Sequence, residues 1–248
     1  MISVRPAVSQ DLPPAAAVAA QAMIDDELFA FLCPQRREYY SDYRDGFLRR
    51  LQMKHATPGW VVMVAIKDSP ITGAELVGYG VWERIGTDAS ATRWRETKSG
   101  WWDALERMLV SITDRFTSRM YPDRSVDSAR LALYNQASAT DCFPFDDHPE
   151  LWYLSSLAVD PSHQRQGIGR KLVGWGLEQA SRDQVPVGLE ASAKGTRLYE
   201  QLGFCTVNEG ELVSGIVMRA MLYNPASEQT PQPAMKDMRG TSECGEQS

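Results

Sequence analysis

One short stretch constrains the fold of this chain more than any other: Val159 to Lys171, reading VDPSHQRQGIGRK. The run before it, LWYLSSLAV, is aromatic and apolar and of strand length, and Asp160-Pro161 ends it. After it, Leu172, Val173, Leu177 and Ala180 recur at helical spacing. A strand that passes through two close glycines straight into a helix leaves the N–H groups of the first helical turn unpaired. Such a helix start favours an anion. Gly167 and Gly169 let a ligand approach the backbone closely. Arg165, Arg170 and Lys171 bring positive charge to a chain that carries 26 Lys+Arg against 32 Asp+Glu, a net of −6. The inference is a cradle for a phosphate or pyrophosphate. The dinucleotide pattern GxGxxG fails because Leu172 stands at its third glycine, and GxxxxGK[ST] fails as well.

The rest of the chain reads as a mixed α/β fold. Ile2 to Arg5 is a short strand, and Asp11 is the expected N-cap of a Pro-started, Ala-rich helix that runs with a break to Phe31. Tyr39, Tyr43, Phe47 and Leu51 form an apolar stripe on a second helix. WVVMVAI (60–66) and ELVGYGVWER (75–84) read as antiparallel strands. Residues 86–150, polar at the start and with few periodic signals toward the end, read as an insertion, a lid or one wall of a pocket. Within it Trp101, Leu105, Met108, Ile112 and Phe116 space out as an amphipathic helix, expected to pack a core face or roof a substrate. Further strands at 186–190, 204–207 and 213–222 and a short helix at 196–202 complete one domain over 1–222. The Pro-, Ser- and Gln-rich segment 223–248 is expected to be a disordered tail.

Composition excludes several classes. A hydrophobic content of 43% supports a core, and the mild acidity argues against a nucleic-acid binder. No apolar run is long enough to span a membrane, and the start lacks a secretory pattern. Cys33, Cys142, Cys205 and Cys244 lie far apart without a CxxC pair, which points to reduced thiols and a cytoplasmic setting. His55, His148 and His163 are equally scattered, so no metal centre is expected.

Gln164-x-x-Gly167-x-Gly169 behind Leu157-Ala158-Val159-Asp160-Pro161 resembles the acetyl-coenzyme A signature of the GNAT family of N-acetyltransferases. Leu198-Tyr199-Glu200-Gln201-Leu202-Gly203-Phe204 resembles the family's second signature, in the family's order and at its usual separation. The wording WYLSSLAVDP, QGIG, GLEAS and LYEQLGF is most similar to the fungal small-molecule branch. The resemblance implies a GNAT fold: a mostly antiparallel mixed sheet with splayed central strands flanked by helices. It implies acetyl-coenzyme A in the splay between the strands at 151–159 and 186–190. The pantetheine arm would lie along the backbone of Leu157, Ala158 and Val159. The pyrophosphate would sit on the loop from Gln164 through Arg165, Gln166, Gly167, Ile168, Gly169 and Arg170 to Lys171. Where the family often has a cofactor-touching Asn, this chain has Ser192, whose hydroxyl is shorter in reach.

The implied reaction is direct attack of an amine on a thioester. The amine must shed a proton, since an alkylammonium has an ordinary pKa of about 10.4. The leaving thiolate needs one, and Tyr199 is the expected donor. Glu190 and Glu83, on strands either side of the cofactor strand, are the candidate bases; Asp146, Asp147 and His148 read first as a hydrated loop and second as lining of the acceptor pocket, and His163 lies beside the phosphate loop, far from the expected reaction centre. The expected partner is a small-molecule amine, with neither nucleic acid nor membrane. A peptide or protein acetyltransferase, or an acyl-coenzyme A-binding module without chemistry, stands as the alternative. Sequence leaves the oligomeric state open.

Overall fold

A computed structural model describes residues 1–69, 73–137 and 142–225. Seven strands form one sheet in the order β1-β2-β3-β4-β5-β7-β6: β1 (Ile2–Pro6), β2 (Trp60–Ser69), β3 (Gly73–Ile85), β4 (Leu151–Val159), β5 (Val187–Ala191), β6 (Cys205–Val213) and β7 (Ile216–Tyr223). Every neighbouring pair is antiparallel except β4–β5. The mixed, mostly antiparallel sheet implied by the signatures is thus the observed one.

Helices cover both faces, which is why WVVMVAI is continuously apolar rather than alternating. Val62 and Val64 pack among Leu12, Ala15 and Ala19 of α1 (Leu12–Ala22) and Tyr43, Phe47 and Leu51 of α3 (Tyr40–Ala56). Met63 and Ala65, pointing the other way, pack among Ile168, Leu172 and Val173 of α7 (Ile168–Asp183). On that side α7 lies so close to β3 that a Cβ on Gly176 would stand 2.2 Å from the Trp82 ring. The break expected before Phe31 is real: α1 ends at Ala22, and α2 (Glu27–Leu32) restarts with the Asp26 carboxylate accepting from the Leu28 and Phe29 N–H groups. Asp11 stands before α1, but its carboxylate accepts from Arg5 and from the Val8 N–H instead of capping the helix.

The described part of 86–150 carries three helices, α4 (Ala89–Glu96), α5 (Trp101–Met120) and α6 (Ser128–Ala137). Trp94 of α4 packs edge-on against Trp152, centroids 5.0 Å apart, so this segment shares the domain's core. The apolar stripe of α5 does neither thing expected of it. Trp101, Trp102, Met108, Ile112 and Phe116 are all more than half exposed, and none lines the central cavity.

The short helix α8 (Thr196–Glu200) is followed by Gly203 in the left-handed conformation. β7 then reaches Tyr223, whose ring packs on Phe204 with centroids 5.6 Å apart. The fold therefore extends past residue 222, where the tail was expected to begin. Residues 226–248, the rest of that expected tail, lie outside the described residues.

Candidate active site

Strands β4 and β5 pair over three registers only: Trp152 with Val187, Tyr153 with Gly188 and Leu154 with Leu189. Beyond Leu154 the two part. β4 continues to Val159 beside β3, and β5 continues to Ala191 beside β7. One edge of β4 from Ser155 onward is thereby left open. Ser155 is also the extra residue of a bulge, since Val81 pairs Ser156 and Trp82 pairs Leu154. A bulge twists and re-aims the strand that carries it, which helps the splay.

A cavity of about 470 Å³ occupies this gap. Its walls take Tyr153 to Leu157 from β4, Glu190 and Ala191 from β5, the turn Ser192–Gly195, Leu198 and Tyr199 from α8, and residues of α2, α3 and β7. The phosphate-type loop abuts it. A Cβ on Gly169 would lie 3.3 Å from Leu198 and 3.9 Å from Leu157, both of the cavity wall. Gly167 has φ 77° with open space at its Cβ position, and Arg165 too is left-handed at φ 60°. Gln164 Nε2 donates to the Val159 carbonyl at 3.2 Å, tying the loop to the strand end. Among the described residues, no group accepts from the N–H groups of Gln166 to Gly169, as a helix start requires.

The residues expected at the site divide into three sets. Tyr199, Glu190, Ser192 and Leu157 meet in the cavity wall. Tyr199 is 8% exposed; its hydroxyl has no hydrogen-bond partner among the described residues, and burial holds the phenol well above its ordinary pKa. Glu190 Oε1 accepts from the Phe143 N–H at 3.0 Å. The Ser192 carbonyl accepts from the Gly195 and Thr196 N–H groups, fixing the turn that carries its side chain. In the loop, Arg165, Gln166, Gly167 and Arg170 are exposed, whereas Lys171 Nζ donates to the Ile2 carbonyl at 3.0 Å. The side chains of Ala158 and Ile168 are buried in the core, so only their backbone faces a ligand. Glu83 stands apart from the cavity wall. It pairs across the sheet with Tyr153, and burial raises its pKa against the opposing pull of Lys54. Asp146, Asp147 and His148 also lie outside the wall, and His163 sits 3.4 Å from Asp160.

The acetyltransferase (GNAT) domain profile matches residues 130–206, the segment that holds β4, the loop, α7, β5 and α8. An acetyltransferase of Stachybotrys chartarum is 26% identical over 228 residues, covering 89% of this chain and 90% of that one. Both matches support a GNAT-type acetyltransferase, an acyltransferase of a kind that generally uses acetyl-coenzyme A. The probable acyltransferase SID5 of Ajellomyces capsulatus is 39% identical over 64 residues, 26% of this chain and 47% of that one. A crystal structure from Corynebacterium glutamicum, of histone acetyltransferase HPA2 and related acetyltransferase, superposes with TM-score 0.59 at 22% identity over 94% of this chain and 99% of that one. A polyamine N-acetyltransferase of Drosophila melanogaster superposes at 0.51 and 15% identity, over 90% and 100%. These superpositions show the same fold.

The wall residues not singled out from the sequence include two cations of α3, Arg50 and Lys54. Both extend the face begun by Tyr43, Phe47 and Leu51, so the signal was an apolar stripe that turns basic at its cavity end. Lys54 donates to Ser155 Oγ at the β4 bulge and lies 4.4 Å from the centre of the Trp60 ring. Burial, aided by Arg50 and opposed by Glu83, pushes its pKa down to about 8.

Proposed function

We propose that this protein transfers an acetyl group from acetyl-coenzyme A to the primary amine of a small molecule. The observation that carries the reading is the cavity at the β4–β5 splay, which gathers the open edge of β4 and Tyr199 in one wall. The open edge fits an extended pantetheine arm added like a strand, through the backbone of Leu157 and Val159. The free N–H groups of Gln166 to Gly169 fit a pyrophosphate, with Arg165 and Arg170 alongside. When bound, the cofactor supplies the thioester carbonyl that the amine attacks.

The chain's own residues then handle protons. Glu190, a carboxylate of the cavity wall, takes the proton that the amine must lose. Tyr199 gives its phenolic proton to the departing sulfur as the C–S bond breaks and the C–N bond forms. Burial keeps that phenol protonated, so the donor is in place across the working pH range. Glu83 acts at one remove, through its field on Lys54. The enclosure of the cavity by α2, α3 and β7 supports a compact acceptor over an extended peptide.

The test follows thiol release from acetyl-coenzyme A across a panel of small amines and short peptides. Turnover of small amines, with no peptide faster, is the expected result. Acetyl-coenzyme A binding by calorimetry with no thiol released on any amine would leave only a binding module, and a preference for peptides would move the acceptor class.

A further inference from the structure

Arg50 sets a problem that the acetyl transfer just described does not solve. It lies in the cavity wall, yet among the described residues it has no hydrogen bond and no carboxylate within 4 Å. Its neighbour Arg49 takes the carboxylates close by, Asp123 at 3.0 Å and Asp114 at 3.8 Å. Arg50 is held instead by rings: its guanidinium carbon stands 4.5 Å from the centre of Phe47 and 5.8 Å from that of Phe29. Rings over its face position the group and leave the N–H edge free, the edge that matches a carboxylate with two parallel hydrogen bonds. Most of the acids in the same wall are engaged. Asp26 accepts from two backbone N–H groups and Glu190 from one, leaving Glu27, exposed at the rim.

We propose that the acceptor carries a carboxylate beside its amine, and that Arg50 receives that carboxylate. The inference rests on the small-amine reading above and narrows it to amino-acid-like acceptors. The spacing suits them. Lys54, one helical turn on, lies roughly 5–6 Å from Arg50 between Cβ atoms. Lys54 also touches Ser155 at the opened edge of β4. A substrate anchored at Arg50 therefore presents an amine a few atoms away toward the splay, where the thioester would lie. Phe29 and Phe47 also stand in the cavity wall and suit an apolar body.

The experiment uses matched pairs that differ only in the carboxylate, phenylalanine with phenethylamine and lysine with cadaverine, and adds spermidine as a purely cationic acceptor. The expected result is a kcat/KM at least tenfold higher for the acid of the better pair. Arg50→Ala should abolish that preference, cutting the acid by about 10–100-fold more than the amine while KM for acetyl-coenzyme A stays put. Arg50→Lys should recover part of it. Thermal melts of each variant check the fold, and Arg50→Gln replaces the alanine variant if that one fails to fold. Equal or better turnover of phenethylamine, cadaverine or spermidine overturns the carboxylate assignment and leaves the acetyltransferase reading intact. So does an equal loss for both members of a pair. If no amine is consumed, the acetyltransferase reading falls instead. Calorimetry of the same pairs on coenzyme A-loaded protein then still decides about Arg50: tighter binding of the acid that Arg50→Ala removes supports it, and equal or absent binding overturns it.

Discussion

Two cavity side chains owe their chemistry to being taken out of water. For Tyr199 burial secures the proton, and the expected cost of removing it is kinetic. Tyr199→Phe should lower kcat by roughly 10²-fold or more, the usual range for a lost acid–base group, with KM for acetyl-coenzyme A within about twofold. A turnover unchanged by steady-state assay removes Tyr199 from the mechanism. Lys54 carries its burial as a stability term. Its pKa falls to about 8, from an ordinary lysine value near 10.4 in the unfolded chain. Below pH 8 the ammonium is held where it is poorly hydrated. Between about pH 8 and 10.4 the unfolded chain still binds the proton and the folded one does not, so stability rises with pH across that window. Lys54→Met removes this term. The variant should gain about 1–2 kcal/mol over the native chain at pH 7, a gain that disappears by pH 11, as urea melts at the two pH values would read.

At the scale of the elements, the strand–loop–helix unit from 151 to 183 was readable in full because its signals are local. Strand propensity, Asp-Pro, two glycines and a helical stripe all fall within one stretch of chain. Gly167 shows which part of that signal is functional. It holds φ 77° with open space around its Cβ position, so a side chain there meets strain but no clash. Gly167→Ala should cost only about 1 kcal/mol in stability. It should still raise KM for acetyl-coenzyme A, by about tenfold, because it crowds the N–H groups of the helix start. Calorimetric binding of coenzyme A and a thermal melt separate the two effects, and a KM unmoved would place the pyrophosphate elsewhere. The acceptor side was much less readable. Lys54 and Ser155 are 101 positions apart in the chain and meet only because the Lys54 side chain reaches from α3 to the β4 bulge. A bulge leaves no mark in a periodic pattern, and a stripe such as that of α5 shows which face is apolar without showing what covers it. Glu83 and Glu190 looked equivalent in sequence for the same reason. Only the folded sheet shows that Glu190 stands in the cavity wall and Glu83 beyond it.

For the molecule as a whole, the question is what holds the helices between β3 and β4 against the sheet so that the pocket keeps its shape. The joint is Arg84 on β3, 2% exposed. Its guanidinium reaches three carboxylates from three parts of the chain: Asp88 at the start of α4 (2.5 Å), Glu150 just before β4 (3.1 Å) and Asp183 at the end of α7 (3.3 Å). Each acid is tied further. Asp88 caps α4 through the Ala91 N–H, Glu150 accepts from the Thr87 and Asp88 N–H groups, and Asp183 accepts from Trp152 Nε1 at 2.9 Å. Asp88 and Glu150, which flank the segment between β3 and β4, thus close on one buried cation, and so does the helix that follows the Gly167 loop. Removing that cation leaves three carboxylates without their shared partner; because Asp88 and Glu150 are partly exposed, the loss falls toward the lower end of the roughly 3–5 kcal/mol typical of a broken buried ion pair. Arg84→Met keeps much of the volume and should lose about that much, read as a lower urea midpoint. Arg84→Lys should recover little, because a single ammonium does not span three partners in the plane of a guanidinium. Salt should weaken the native joint only slightly, since screening acts weakly on a buried group. A loss under about 1 kcal/mol would mean that the tryptophan contacts around Trp94 and Trp152 hold the insertion without help from charge.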